Sequence, residues 1–159
     1  SKFPEYQLNM VRLGIGLYGL SPFSEEENKL ENINRLKTSI SQIKSIKKDE
    51  SVGYDRAYRA NKDMTIATVA IGYADGVGRY LGNGKYSMSI NGKFAPIVGN
   101  VCMDMCMLDI SDIDCKEGDE VIVFETQKQI KEMSHLGDTI PYEILTGISQ
   151  RVKRIYFTE

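Results

Sequence analysis

Two apolar runs that each end on a glycine-hinged turn constrain this chain more than any other feature. Thr65 to Ile71 (TIATVAI) leads into Gly72-Tyr73-Ala74-Asp75-Gly76, and Pro96-Ile97-Val98 leads into Gly99-Asn100-Val101-Cys102-Met103-Asp104. A short continuous run rich in β-branched residues reads as a strand covered on both faces or nearly so. Glycine at the strand end accepts backbone angles closed to other residues, so each turn can present one polar side chain. On its own, GYADG also fits a strand followed by an ordinary Asp-Gly turn.

The rest of the pattern is of the same kind. Leu36 to Ile46 (LKTSISQIKSI) alternates apolar and polar residues as a half-buried strand does, and Lys47 to Glu50 turns out of it. Tyr86 to Lys93 reads as a hairpin about Asn91-Gly92. Met105 to Ile110, Val121 to Phe124 and Arg151 to Phe157 read as further strands. Ile130, Met133 and Leu136 recur at three, the spacing of a short amphipathic helix over Thr126 to Leu136, with His135 on its solvated side. Glu143 to Ile148 forms a helical turn. Ser21 to Asn34 is polar and acidic, a loop or short helical turn, and marks a boundary between residues 1–23 and a mainly β, antiparallel domain over 24–159. The polar leader Ser1 to Tyr6 specifies little and reads as an arbitrary start.

At 159 residues the chain is long enough for one domain with a real core. Lys plus Arg (20) nearly balance Asp plus Glu (22), which gives no field for nucleic acid or an anionic membrane. No apolar run approaches the ~20 residues of a membrane span, and no signal peptide is evident. Cys102, Cys106 and Cys115 are odd in number and match neither a disulfide framework nor a zinc site, so reduced thiols in a cytoplasm are expected. Cys102 and Cys106, four apart in an expected strand, would share a face as structural thiols, and no metal site is expected.

Six segments in order, NMVRLGIGLYGLSP, SVGY, IGYADG, PIVGNVCMDM, TIPYEIL and ISQRVKR, resemble the C-terminal domain of the alanine racemases. The resemblance runs from about Asn9 to Arg154. It implies a pyridoxal 5'-phosphate enzyme of fold type III that interconverts L- and D-alanine for peptidoglycan synthesis. It further implies a closed or nearly closed antiparallel β-barrel over 24–159, preceded in 1–23 by the end of an N-terminal TIM barrel.

The resemblance also assigns residues. Moving the α-proton of alanine from one face to the other needs two acid/bases on opposite sides of one plane. In the family one is the Schiff-base lysine of the N-terminal barrel and the other is a tyrosine, here Tyr54. A tyrosine hydroxyl starts near ~10, so positive charge or donors must help it act as a base. The usual Ser-Tyr-Gly is replaced by Gly53-Tyr54-Asp55, which changes the backbone around the phenol. Gly14 and Ile15 would offer N–H groups to the cofactor phosphate, with Tyr142 adding its hydroxyl. Arg12 would face the pyridine nitrogen as a donor that keeps its proton. Met103 would hold the substrate carboxylate by its backbone N–H, while Tyr73, Ile140 and the outer Arg79 would line the substrate entrance. Asn100 stands where an arginine often does.

Read without the resemblance, Arg12 is a surface arginine, VRLGIGLYG a strand end under a loop, Met103 core filler and Tyr54 a packed tyrosine. Arg151 and Arg154 are surface cations or a dimer rim. The family works as a head-to-tail homodimer in which Tyr54, Tyr73 and Met103 would serve the partner's site, and Arg12, Gly14, Ile15 and Tyr142 their own. No lysine here stands in a matching motif, so the chain alone, without the N-terminal cofactor barrel, is expected to be inactive. The parent could also carry a muramyl-peptide ligase module. The rival readings are a serine or broad-specificity racemase on the same scaffold, and a non-catalytic β-barrel binding module.

Overall fold

The computed structural model describes residues 3–21, 23 and 29–157. They gather into two compact units, Ser1–Asn34 and Arg35–Glu159. The expected boundary at 23/24 falls beside residues 24–28, outside the described ones.

The second unit is built on eight strands: β1 (Leu36–Ile46), β2 (Ser51–Val52), β3 (Tyr58–Arg59), β4 (Met64–Val69), β5 (Ser87–Ile90), β6 (Lys93–Val98), β7 (Cys106–Asp109) and β8 (Glu120–Phe124). Six of them close a barrel in the order β1-β4-β7-β6-β5-β8, and β2 with β3 forms a separate hairpin. Every barrel pairing is antiparallel. Closure depends on β1. Its first residues pair with β8 (Thr38 opposite Val121), and its later ones pair with β4 (Ile46 opposite Met64). The register shifts between Leu36 and Lys37 and again between Ile40 and Gln42, and such irregularities bend a strand enough to serve both sides.

The bends also explain why the even alternation expected of β1 gives way to burial of Leu36, Ile40 and Ile46 alone. β4 is covered along its length, as its composition requires, but ends at Val69 so that Ala70 and Ile71 enter the turn. Ala67, Val69, Met88, Ile90, Ala95, Ile97, Leu108, Val121 and Val123 fill the core. Tyr86 sits among them, donating its hydroxyl to the Val123 carbonyl at 2.6 Å. Burial pushes that phenol well above the usual tyrosine range, so it remains a neutral donor. A second apolar cluster, Ile46, Val52, Ala60, Met64, Ile66, Val98, Cys102 and Met107 with Tyr58 against it, seats the β2–β3 hairpin on the barrel wall.

Helix α1 (Gln127–Leu136) begins at a capping box in which the Thr126 hydroxyl accepts from the Gln129 N–H at 3.2 Å. It buries Ile130 and Met133 and leaves His135 exposed, as its spacing predicts. Helix α2 (Pro141–Thr146) follows, with Pro141 in its first turn.

Two expectations are corrected. Residues 151–157 form no strand, and Ile155, Tyr156 and Phe157 are exposed. A closed barrel offers no edge for another strand, and Arg154 instead donates to the carbonyls of Ile148, Ser149 and Val152. Cys102 and Cys106 do not share a strand, because β7 begins at Cys106 and Cys102 lies in the preceding loop. Both are buried free thiols, and Cys106 is pushed up to about 12, chiefly by burial and secondarily by Cys102.

In the first unit, 3-10 turns cover Pro4–Tyr6 and Ile15–Tyr18. Gly19 closes the second at φ +74, where an added Cβ would strike the Glu31 carbonyl, and Asn34 donates to the Tyr18 carbonyl at 3.1 Å.

Candidate active-site surface

The turn after β4 is the centre of the site. Gly72 enters it with no room to spare, since a Cβ there would lie 2.3 Å from the Cys102 carbonyl oxygen and 2.4 Å from that of Met103. The close approach lets the Tyr73 N–H donate to the Cys102 carbonyl at 2.9 Å and the Ala74 N–H to the Met103 carbonyl at 3.0 Å. Tyr73 and Met103, 30 positions apart in sequence, are therefore adjacent. The Met103 carbonyl is used, while its N–H donates to no acceptor among the described residues. Both side chains are exposed, Tyr73 at 41%.

Asp75 holds the turn from beneath. Its carboxylate accepts the Gly72 N–H at 2.8 Å and the Arg151 Nε–H at 2.7 Å, and Arg151 reaches on to Asp104 at 2.6 Å. The hydrogen bonds to Asp75, then to Asp104, raise the Arg151 pKa further, so the guanidinium stays charged. The Asp75 carbonyl accepts the Ser149 N–H at 3.2 Å. Sequence reasoning gave Asp75 no role and left Arg151 as a surface cation or a dimer rim. The spacing of an acid three residues after Gly72 is the N-terminal capping pattern that could have flagged Asp75. Arg151 falls in the ISQRVKR segment, but nothing local points to its carboxylate partners.

Tyr54 stands on a turn of unusual backbone. Gly53 has φ +76 and ψ −178, a region essentially reserved for glycine, and Asp55 (φ +60) and Arg56 (φ +50) are left-handed. Aspartate tolerates that conformation better than most residues, which explains how it can follow the tyrosine where a glycine is usual in the resembling motif. The result is a phenol ring 71% exposed. It lies at a cavity of about 370 Å³, lined also by Val52, Cys102, Met105, Met107 and Lys44. Replacing Gly53 by Ala is expected to destabilise the chain by about 1–3 kcal/mol, because alanine cannot hold those angles without strain. Urea denaturation would measure it, and an unchanged midpoint would mean that the turn relaxes freely.

The remaining expected residues divide. Ile140 precedes α2 and Tyr142 lies within it, both exposed. A second cavity of about 180 Å³ is lined by Tyr73, Tyr80, Gly137, Thr139, Glu143 and Ile144. Burial, then Glu143, raises the Tyr80 pKa and keeps its hydroxyl protonated. Arg79 opens the 3-10 turn Arg79–Leu81, exposed and without an ion pair among the described residues. Asn100 accepts the Asn83 side-chain amide at 3.1 Å, a neutral pair. Arg12, Gly14 and Ile15 belong to the first unit, where Arg12 and Gly14 are exposed and Ile15 opens its 3-10 turn.

Known proteins share both sequence and fold. The family described as "Alanine racemase, C-terminal domain" matches residues 33–156. The alanine racemase of Clostridium perfringens is 45% identical over 161 aligned positions, covering 96% of this chain, and that of Helicobacter acinonychis is 43% identical over 94% of it. The chain spans only 42% and 41% of those relatives' lengths. Among solved structures, the alanine racemase of Bartonella henselae with covalently bound pyridoxal phosphate superposes with a TM-score of 0.84 at 36% identity, over 91% of this chain and 40% of its own. A closed six-stranded barrel, the glycine-hinged turns and these matches agree: the chain belongs to the alanine racemase family, of which it comprises the C-terminal domain.

Proposed function

We propose that this chain is the C-terminal part of a pyridoxal 5'-phosphate-dependent alanine racemase, which supplies D-alanine for the cell wall and acts as a homodimer with an N-terminal barrel. The observation that carries the reading is the pairing, around one loop, of an exposed phenol and an open amide. Tyr54 shares its cavity with Cys102 and Met105, and Met103, between those two in sequence, has an N–H that donates to no acceptor among the described residues. An acid/base and an anion donor are the two groups that proton transfer at the α-carbon of a carboxylate substrate needs.

The chain's residues suit the cofactor by their chemistry. Arg12 offers an exposed guanidinium, Tyr142 a hydroxyl, and Gly14 and Ile15 the amides at the start of a 3-10 turn. None of the four is acidic, as an anionic phosphate requires. When bound, pyridoxal phosphate supplies the electron sink that acidifies the substrate's α-hydrogen. Arg12 would donate to the ring nitrogen, Gly14 and Ile15 would offer N–H groups to the phosphate, and Tyr142 would offer it a hydroxyl. Tyr54 gives or takes the proton at the α-carbon on one face through its Oη, opposite a lysine of the barrel. Met103 orients the carboxylate through its N–H. Tyr73 and Ile140 wall the entrance, Arg79 its outer part, and Val52, Met105 and Met107 give the Tyr54 cavity its apolar lining beside Lys44.

The exposed side chains of Leu8, Met10, Leu13 and Leu17 in the first unit support a missing barrel against which they would pack. Full-length protein loaded with pyridoxal phosphate should drive the circular dichroism of L-alanine to zero, with L-serine turning over more slowly, while the 159-residue chain alone gives no change. No turnover by the full-length protein, or turnover by the chain alone, would contradict the reading.

A further inference from the structure

We infer that Arg151 is a positioning residue: its guanidinium ties the Asp75 carboxylate to that of Asp104 and so sets the spacing of the Tyr73 and Met103 turns. The inference rests on the racemase reading, since it concerns how those turns meet substrate.

One side of the pair of turns is held by backbone, through Tyr73 N–H to Cys102 and Ala74 N–H to Met103, at 2.9 and 3.0 Å. Arg151 adds a side-chain link between the same two turns. Asp75 gives one oxygen to the Gly72 N–H at 2.8 Å and the other to Arg151 Nε at 2.7 Å, so a single carboxylate links the guanidinium to the turn's first amide. Arg151 Nη2 donates to Asp104, the residue after Met103, at 2.6 Å. The guanidinium is a rigid planar fork, so its two donors fix the separation of the two carboxylates as a flexible ammonium would not. Arg154 in turn donates to the carbonyls of Ile148, Ser149 and Val152, shaping the loop that delivers Arg151.

Exposure decides where the effect should appear. The side chains of Arg151 and Asp104 are 47% and 55% exposed, and pairs so open to water add little to global stability. Asp75 is nearly covered, at 13%. Loss of the fork should therefore loosen the two turns against each other and leave the barrel alone.

The test compares wild-type, Arg151→Ala and Arg151→Lys in the full-length protein with pyridoxal phosphate, measuring kcat and KM for both alanine enantiomers and hydrogen exchange of individual amides. For Arg151→Ala, KM should rise by between about tenfold and a hundredfold, the effect of a small misplacement of binding groups. kcat should fall less than KM rises. The Tyr73 and Ala74 amides should exchange faster while barrel amides such as that of Leu108 do not, and Arg151→Lys should recover part of the loss. Unchanged KM and exchange in an active enzyme would overturn the inference alone, as would equal loosening of the barrel. A wild-type protein without racemase activity would instead overturn the racemase reading on which it rests.

Discussion

Tyr54→Phe in the full-length protein is expected to lower alanine racemisation by about 10²–10⁴-fold, the usual contribution of a positioned acid/base. The ring is 71% exposed and its hydroxyl makes no hydrogen bond among the described residues, so removing one oxygen leaves the fold nothing to lose. The loss should fall on kcat, because a group that acts only as the proton moves does not hold the bound substrate. Steady-state kinetics beside a thermal melt would separate the cases. Unchanged turnover would favour a binding module over a catalytic domain, and a lowered melting temperature would make Tyr54 a structural residue.

Gly72→Ala is expected to have the second large effect. Its φ of −150 is open to any residue, so the difficulty is space alone. The added methyl would meet the Cys102 and Met103 carbonyl oxygens at 2.3 and 2.4 Å, and both are backbone atoms that cannot swing aside. The turns must part, breaking the hydrogen bonds from Tyr73 and Ala74, at a cost of about 1–3 kcal/mol as for other overpacked sites. Displacing Met103 by even ~1 Å should reduce kcat/KM by about a hundredfold. Chemical denaturation and kinetics of the same variant would show both losses. Retention of either stability or activity would mean that the close approach is not needed.

Most of the barrel was legible in sequence because each strand carries its burial in its own composition. Thr65 to Val69 and Val121 to Phe124 are apolar and β-branched, and Asn91-Gly92 announces the turn between β5 and β6. What was not legible is what depends on distant pairing. The double partnership of β1 comes from closure, not from LKTSISQIKSI, and the strand-like run Arg151 to Phe157 misleads because the closed barrel has no edge to receive it. The site shows the same divide. Arg151 meets carboxylates 76 and 47 positions away, and nothing local in ISQRVKR names them. Met103 is silent for another reason: a methionine side chain says nothing of its own amide, and only resemblance to the family pointed to it. Gly53, which looked like a departure from the usual motif, has the backbone angles that only glycine holds easily.

The claim at the centre is that this domain presents one of two opposed acid/bases, the Tyr54 phenol. Full-length Tyr54→Phe, loaded with pyridoxal phosphate in heavy water, tests it through α-hydrogen exchange followed separately for L- and D-alanine by proton NMR. With one base removed and the lysine intact, one enantiomer should still exchange its α-hydrogen while the other does so at least about a hundredfold more slowly. Equal exchange rates for the two enantiomers, whether both preserved or both lost, would contradict it.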